Sequence, residues 1–378
     1  MKLLISPLKS IFACFLVSQL LLVQVSGIII DVPIIPSLVF LALIAMIVVA
    51  ALNHEFKFSI KLGSSESYFL LLSFYILLSY LIVSNSSWSN QKVVYYFLLV
   101  FFPALIFIFN KSALSIFYEK IKLITFFSKM SILFSLLLVF LGLAEYFDGN
   151  RLMGVGVGNP IWFGRLIAIP VIFLFFYERK KISSLFCIMI GLYLIYLTSS
   201  RAVLLGVLVS FHLILGFSLR RPHFYFSLSS LVFIVPILYY LIFVIDLNFS
   251  NYNIGNVFSI IERFNMWEQG VNIIKENLLF GVGFGDYGYA VTGDINVGTK
   301  YPHNIIIEIF IELGLLGVLL FILFCFSVLK QRGDNPLYFL FVFFVFNSMF
   351  SADIYGNNHL FWFGVSCSLC KRLESEFC

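Results

Sequence analysis

Residues 303–329 read HNIIIEIFIELGLLGVLLFILFCFSVL, and their reading decides the class of fold. About 20 consecutive apolar residues suffice to cross the hydrocarbon of a bilayer as a helix, and this run exceeds that length with only Glu308 and Glu312 as charges. The rest of the chain has the same character. Of 378 residues, 61% are hydrophobic and 11% charged, against about 45–50% and about 25% in a soluble domain. A water-soluble globule is excluded. The apolar content is enough for about a dozen membrane-crossing helices, and the expected fold is an all-α integral membrane protein.

Apolar runs between polar breaks place twelve candidate spans near 11–30, 33–52, 68–84, 93–109, 124–145, 159–177, 182–198, 201–219, 224–245, 303–329, 337–352 and 357–370. The first run follows Lys2 and Lys9 and ends in QVSGIII without a clear small-x-small cleavage site, so it reads as a span and not a signal peptide. With the N-terminus in the cytoplasm, 17 of the 24 Lys and Arg residues fall in inner segments and six, Lys92 among them, in outer ones, with Arg165 inside a span. That asymmetry is the positive-inside rule. It predicts that both termini are cytoplasmic, and it accounts for the net charge of +5 without a nucleic-acid partner. The six cysteines lie in or beside apolar stretches without metal-ligand spacing, so they read as buried small hydrophobes. No internal repeat or linker divides residues 1–378, which are read as one polytopic domain.

Residues 246–302 form by far the longest outer connection, and long loops inside compact folds are usually functional. Within it Val257, Ile260, Ile261, Phe264, Trp267, Val271, Ile274 and Leu278 recur at helical spacing, with Glu262, Gln269, Asn272 and Glu276 between them. An amphipathic helix on the membrane surface or capping the bundle is expected. Three outer residues combine chemistry with placement: Arg201 in TSSRA, Arg263 in IERFNMW and His303 in YPHN. Two guanidiniums suit a diphosphate, because each planar fork binds phosphate oxygens bidentately and stays cationic. A histidine titrating near neutrality suits proton abstraction from a sugar hydroxyl. Taken singly, each arginine also fits an interfacial or solvated charge, and the histidine a helix-start residue.

At about 100° per residue, Gly314 and Gly317 fall under the face of His303, where small residues would admit a close neighbouring helix. Glu308 and Glu312 fall on the far face, about 7 and 13 Å below His303. A carboxylate at that depth needs a partner. Arg165, at matching depth in the span 159–177, is the expected one.

These residues resemble the signature of the O-antigen ligase and O-antigen polymerase superfamily of bacterial surface-polysaccharide enzymes. The ligase pattern of His, a polar Asn, Ser or Gln, nine residues, Gly, two residues and a small residue or Tyr is matched by His303, Asn304, Gly314 and Gly317. Ser200 and Arg201 match an SR at the start of a span, and Arg263 and Trp267 match R-x-x-x-W. GVGFG (Gly281, Gly283, Gly285) and RLMGVGVGNP (Arg151, Gly154, Gly158, Asn159, Pro160) are also similar to family segments. The resemblance covers roughly residues 150–330.

It implies a metal-independent, inverting glycosyl transfer at the periplasmic face of the bacterial inner membrane, without a cofactor. The implied donor is glycan on undecaprenyl diphosphate, and the acceptor a glycan or lipid A core. Arg201 and Arg263 would hold the diphosphate and His303 would activate the acceptor hydroxyl. Arg151, Asn304 and Trp267 would contact substrate, with Glu308, Gly314, Gly317 and Arg165 as support. Joining repeat units and joining a finished chain to core remain equally open. The residues themselves agree in offering no D-x-D pair for a metal.

GVGFGDYG follows no predicted strand and lacks a P-loop lysine, so it reads as a flexible outer loop. HNIIIE lacks the second histidine of a zinc protease. His212, within the span 201–219, reads as a neutral histidine bonded to a neighbouring helix. A transporter of lipid-linked saccharide is the alternative function, but carriers place intramembrane charges in both halves; the first 123 residues show none by this reading. A further alternative keeps glycosyl transfer and makes Asp31, in the first outer loop, the base.

Overall fold

The computed structural model describes residues 62–109, 121–147, 151–154, 159–217, 254–296, 300–331, 335–351 and 353–377. The spans expected at 11–30, 33–52 and 224–245, together with Asp31, lie outside them. In chain order the elements are α1 (Ser64–Ile82), α2 (Ser87–Tyr96), a π-helical turn (Phe97–Phe101), α3 (Phe102–Phe109), α4 (Ile121–Phe140), β1 (Glu145–Phe147), β2 (Arg151–Gly154), α5 (Pro160–Glu178), α6 (Ile182–Leu197), α7 (Arg201–Phe217), α8 (Ile254–Glu276), α9 (Tyr287–Thr292), α10 (Ile305–Lys330), α11 (Pro336–Ser348) and α12 (Asn358–Phe377). The described residues are mostly helical. Four of the helices, α1, α4, α5 and α10, are long and apolar enough to cross a membrane. Among the described residues, Cys187, Cys367 and Cys370 are buried, as expected, and Cys325 is half-buried.

The chain divides into two compact units, one of residues 1–56 and 110–245 and one of 57–109 and 246–378. In the first, α5 packs against α4, α6 and α7. Its surprise is a small antiparallel hairpin in a chain expected to be all-α: β1 pairs with β2, Phe147 opposite Arg151 and Tyr146 opposite Leu152. The sequence carried the signal. Asp148 and Gly149 stand between the strands, and Asp-Gly is a hairpin dipeptide.

Helix starts follow the side chains available. Asn159, Asn304 and Asn335 each sit in extended backbone and accept from N–H groups of the turn they open. Pro160 and Pro336 follow two of them, where a missing N–H costs nothing.

In the second unit α10 packs along α1, α12 against α11 and α3, and α8 against the start of α10. Gly270 makes that last approach possible, since a Cβ there would press on Ile307 and Ile311. The expected amphipathic helix is therefore present as α8, with one side closed on α10.

α10 is not one regular helix. Gly314 has φ 65° and ψ −164°, so the angular projection from His303 ends before Gly314 and Gly317. The neighbour that Gly314 admits is a strand of loop and not a helix. A Cβ on Gly314 would collide with the Leu279 carbonyl, and one on Gly281 with the Glu312 carbonyl. Backbone freed by the break is taken up by that loop: Val282 N donates to Ile311 O (2.9 Å), Gly283 N to Glu312 O (3.0 Å) and Leu315 N to Leu278 O (2.9 Å). The other side of the loop rests on residues 84–89. Asp286 accepts from Asn85 N (2.6 Å), Ser86 N (3.0 Å) and Ser86 Oγ (2.5 Å), and Ser84 Oγ donates to Phe284 O (2.9 Å). GVGFG, expected to be a flexible outer loop, is thus a buried, hydrogen-bonded wedge between α10 and the α1–α2 turn.

Gly281 and Gly314 both combine a positive φ with contact to opposing backbone, so alanine at either should cost more than the about 1–3 kcal/mol of a strained φ alone. Gly293, at φ 72° with open space around it, is the control. Thermal unfolding in detergent should show Gly281→Ala and Gly314→Ala melting well below wild type and Gly293→Ala only slightly below.

Candidate functional site

His303 stands immediately before α10, in left-handed backbone with φ 57°. Left-handed backbone is uncommon for any residue with a Cβ, histidine included, and such conformations concentrate at functional positions. The surroundings are visible. Asn304 caps α10 through Oδ1, accepting from Ile306 N (3.0 Å) and Ile307 N (3.2 Å), while its Nδ2 donates to Met349 O (3.2 Å). On the other side Trp267 Nε1 donates to Pro302 O (2.7 Å). The R-x-x-x-W of α8 thereby grips the residue before His303.

The Tyr301 ring lies against the imidazole with centroids 4.5 Å apart. Nδ1 of His303 is buried without a hydrogen-bond partner among the described residues. Burial first, and then the nearby Arg263 guanidinium, push the histidine down to a pKa of about 4. It is therefore a neutral imidazole at neutral pH, able to accept a proton.

Arg263 lies one turn before Trp267 on α8, half-buried, near enough to His303 to act on it electrostatically. Of the residues expected in the site, the second unit thus brings together Arg263, Trp267, His303 and Asn304.

The first unit brings together Arg151 and the turn that precedes Arg201. Arg151 Nε, from β2, donates to Thr198 O (3.3 Å). Ser199 takes a left-handed φ of 51°, Ser200 N donates to Thr198 Oγ1 (3.3 Å), and Arg201 opens α7. A guanidinium beside the free N–H groups of a helix start suits an anion. Arg165 is buried within α5 of this unit.

Glu308 does have a buried partner, but it is Lys92 where Arg165 was expected. Lys92 Nζ donates to Glu308 Oε1 (2.6 Å) and to Glu312 Oε1 and Oε2 (2.6 and 2.7 Å), with the lysine 1% exposed. Glu308 Oε1 also accepts from Ile354 N (3.2 Å), and Asp353 is near enough to act electrostatically on both charges. Sequence reasoning counted Lys92 among the outer cations and found no buried charge in the first 123 residues. Both Lys92 and Glu66 are buried. A signal existed, because Lys92 is the sole charged residue between Glu66 and Lys111. A lone cation at the head of the apolar run from Val93 to Phe109 calls for a carboxylate once that helix is buried.

Residues 185–322 match the family profile described as O-antigen ligase. Over that segment the chain is similar to the O-antigen ligase family, in line with the resemblance read from its motifs. The matched segment includes Arg201, Arg263, Trp267, His303, Glu308, Gly314 and Gly317 and ends within α10. The family is of glycosyltransferase type, and the apolar helices fit a membrane protein of that kind. No curated protein matched the chain.

Removing one member of a buried ion pair strands the other charge, at about 3–5 kcal/mol. Lys92→Met should therefore lower the melting temperature sharply. Adding Glu308→Gln and Glu312→Gln to it should restore most of the loss, which thermal unfolding in detergent would read directly.

Proposed function

We propose that the protein is a metal-independent, inverting membrane glycosyltransferase that moves glycan from an undecaprenyl-diphosphate donor to a sugar hydroxyl at the periplasmic face of the inner membrane. The product belongs to lipopolysaccharide O-antigen or a related surface polysaccharide. The observation that carries this reading is a half-buried His303 just before α10, kept neutral by burial and by the nearby Arg263 guanidinium of α8, whose Trp267 bonds the preceding Pro302. The topology that goes with it has twelve spans, both termini in the cytoplasm and residues 246–302 on the periplasmic side.

In the reaction His303 accepts the proton of the acceptor hydroxyl as its oxygen attacks the anomeric carbon. The bond to the diphosphate breaks with its electrons leaving on the phosphate oxygen, and the anomeric configuration inverts. Charge grows on the diphosphate as that bond breaks, so Arg201 and Arg263 stabilise the transition state more than the ground state. Arg263 has a second effect: a fixed cation beside the imidazole disfavours its protonated form before substrate arrives. Arg151, Trp267 and Asn304 contact substrate, and Arg151 and Trp267 also bond the carbonyls of Thr198, ahead of Arg201, and of Pro302, ahead of His303.

The test is reconstitution with a lipid-diphosphate glycan donor. His303→Ala should lose transfer, Arg201→Ala and Arg263→Ala should each lose most of it, Asp31→Asn should keep it, and EDTA should have no effect. Full activity in His303→Ala would sink the mechanism.

The pH dependence gives a separate check. With its pKa near 4, His303 stays an available base well below 6.5, the ordinary histidine value. The acid limb of kcat/KM should lie near pH 4–5. Residual activity of Arg263→Gln should show that limb displaced upward, since a repulsion against the imidazolium has been removed.

A further inference from the structure

Four aromatic residues collect around the α10 start that carries His303. Trp88 and Tyr95 come from α2, Tyr355 from the turn between α11 and α12, and Tyr301 from the segment before His303. Tyr95 and Tyr355 lie with centroids 5.3 Å apart, Trp88 is 6.2 Å from each, and Tyr301 is 4.5 Å from the imidazole. Tyr301 is close enough to Tyr355 for the two phenols to act on one another electrostatically, which joins the cluster to the histidine.

The arrangement is braced. Trp88, Lys92 and Tyr95 fall at i, i+4 and i+7, one face of α2, and Lys92 on that face is bonded to Glu308 and Glu312 of α10. Tyr355 follows Ile354, whose N–H is held by the same Glu308. The aromatic face and the proposed base are thus anchored to one helix. Trp88 is the buried backing at 8% exposed, whereas Tyr95 is 40% exposed and Tyr355 and Tyr301 are half-buried.

Resting on the reading of the protein as a glycosyltransferase, we infer that Tyr95, Tyr355 and Tyr301 form the subsite for the acceptor sugar, with Trp88 behind them. A pyranose presents one face of C–H groups and a rim of hydroxyls. Rings with a polar tip match both, the face by stacking and the hydroxyls by hydrogen bonds to the phenols. A sugar stacked there lies beside His303, where its hydroxyl must be to give up a proton. The competing explanation of exposed tyrosines in a membrane protein is an interfacial belt, which would have no bearing on sugar affinity.

The experiment uses the full chain in detergent and two probes in separate arms, a delipidated core oligosaccharide and a free repeat-unit oligosaccharide. Binding is read by quenching of tryptophan emission, with Trp88→Phe expected to remove most of the signal. At least one oligosaccharide should bind wild type and His303→Ala alike, and Tyr95→Ala should weaken it about tenfold. In turnover, Tyr95→Ala should raise the acceptor KM by a similar factor, leaving the donor KM and kcat near wild type. Tyr95→Phe, which keeps the ring, should retain most of the affinity.

The inference is overturned if neither oligosaccharide binds wild type, if Tyr95→Ala binds as wild type does, or if the donor KM rises instead. Full turnover in His303→Ala with binding intact would remove the mechanism above and leave the subsite standing. Loss of binding in Tyr95→Ala with His303→Ala inactive supports both.

Discussion

The ammonium of Lys92, closed in among Glu308 and Glu312, is the contact on which the second unit depends. It ties α2 to the first two turns of α10, and through Glu308 it also holds the turn at Ile354. A buried ion set of this kind adds little net stability over an apolar core. What it contributes is uniqueness, because two carboxylates and one lysine can be satisfied together in few arrangements. α10 is set at one height against α2, and the His303 that precedes it is set with it.

A second constraint acts half a helix further down. The break at Gly314 frees backbone groups that a membrane-facing helix would otherwise satisfy internally, and in hydrocarbon such groups are costly. GVGFG supplies the partners, with Gly281 and Gly314 as the two points where opposing backbones meet without a Cβ between them. The long connection is therefore fastened at Trp267, which bonds Pro302, and at the wedge around Gly281. Arg263 stands one turn before the first of these points on α8. Position at the candidate site comes from neighbours that are themselves hydrogen-bonded, Asn304 to the start of α10 and Trp267 to Pro302, which is how a histidine in left-handed backbone can persist.

Much of this was readable from sequence. Helices stand where apolar runs placed them for the described residues, α8 follows the pattern at Val257 to Leu278, and His-Asn at a helix start is a cap as well as a motif. Three features were misread. Hydropathy places Lys92 outside because it registers the neighbours of a residue along the chain and not across it. GVGFG looked flexible because glycine-rich segments have no side chains to show what they touch. Gly314 and Gly317 were projected from His303 on a regular helix, and a break cannot be seen in a periodicity that continues through it.

By itself the sequence determined the likeness to the O-antigen ligase family over residues 185–322, the apolar helical character of the chain, and where its scarce arginines and histidines stand along it. Each of these is a property of residue type or local spacing, which the folded chain does not alter. Tertiary structure alone decided that Lys92 and not Arg165 meets Glu308, that α10 breaks at Gly314 to receive the wedge, and that His303 is neutral beside Arg263. Those outcomes join residues as far apart as Lys92 and Glu312, and charge, burial and backbone strain at such contacts depend on what the fold brings near.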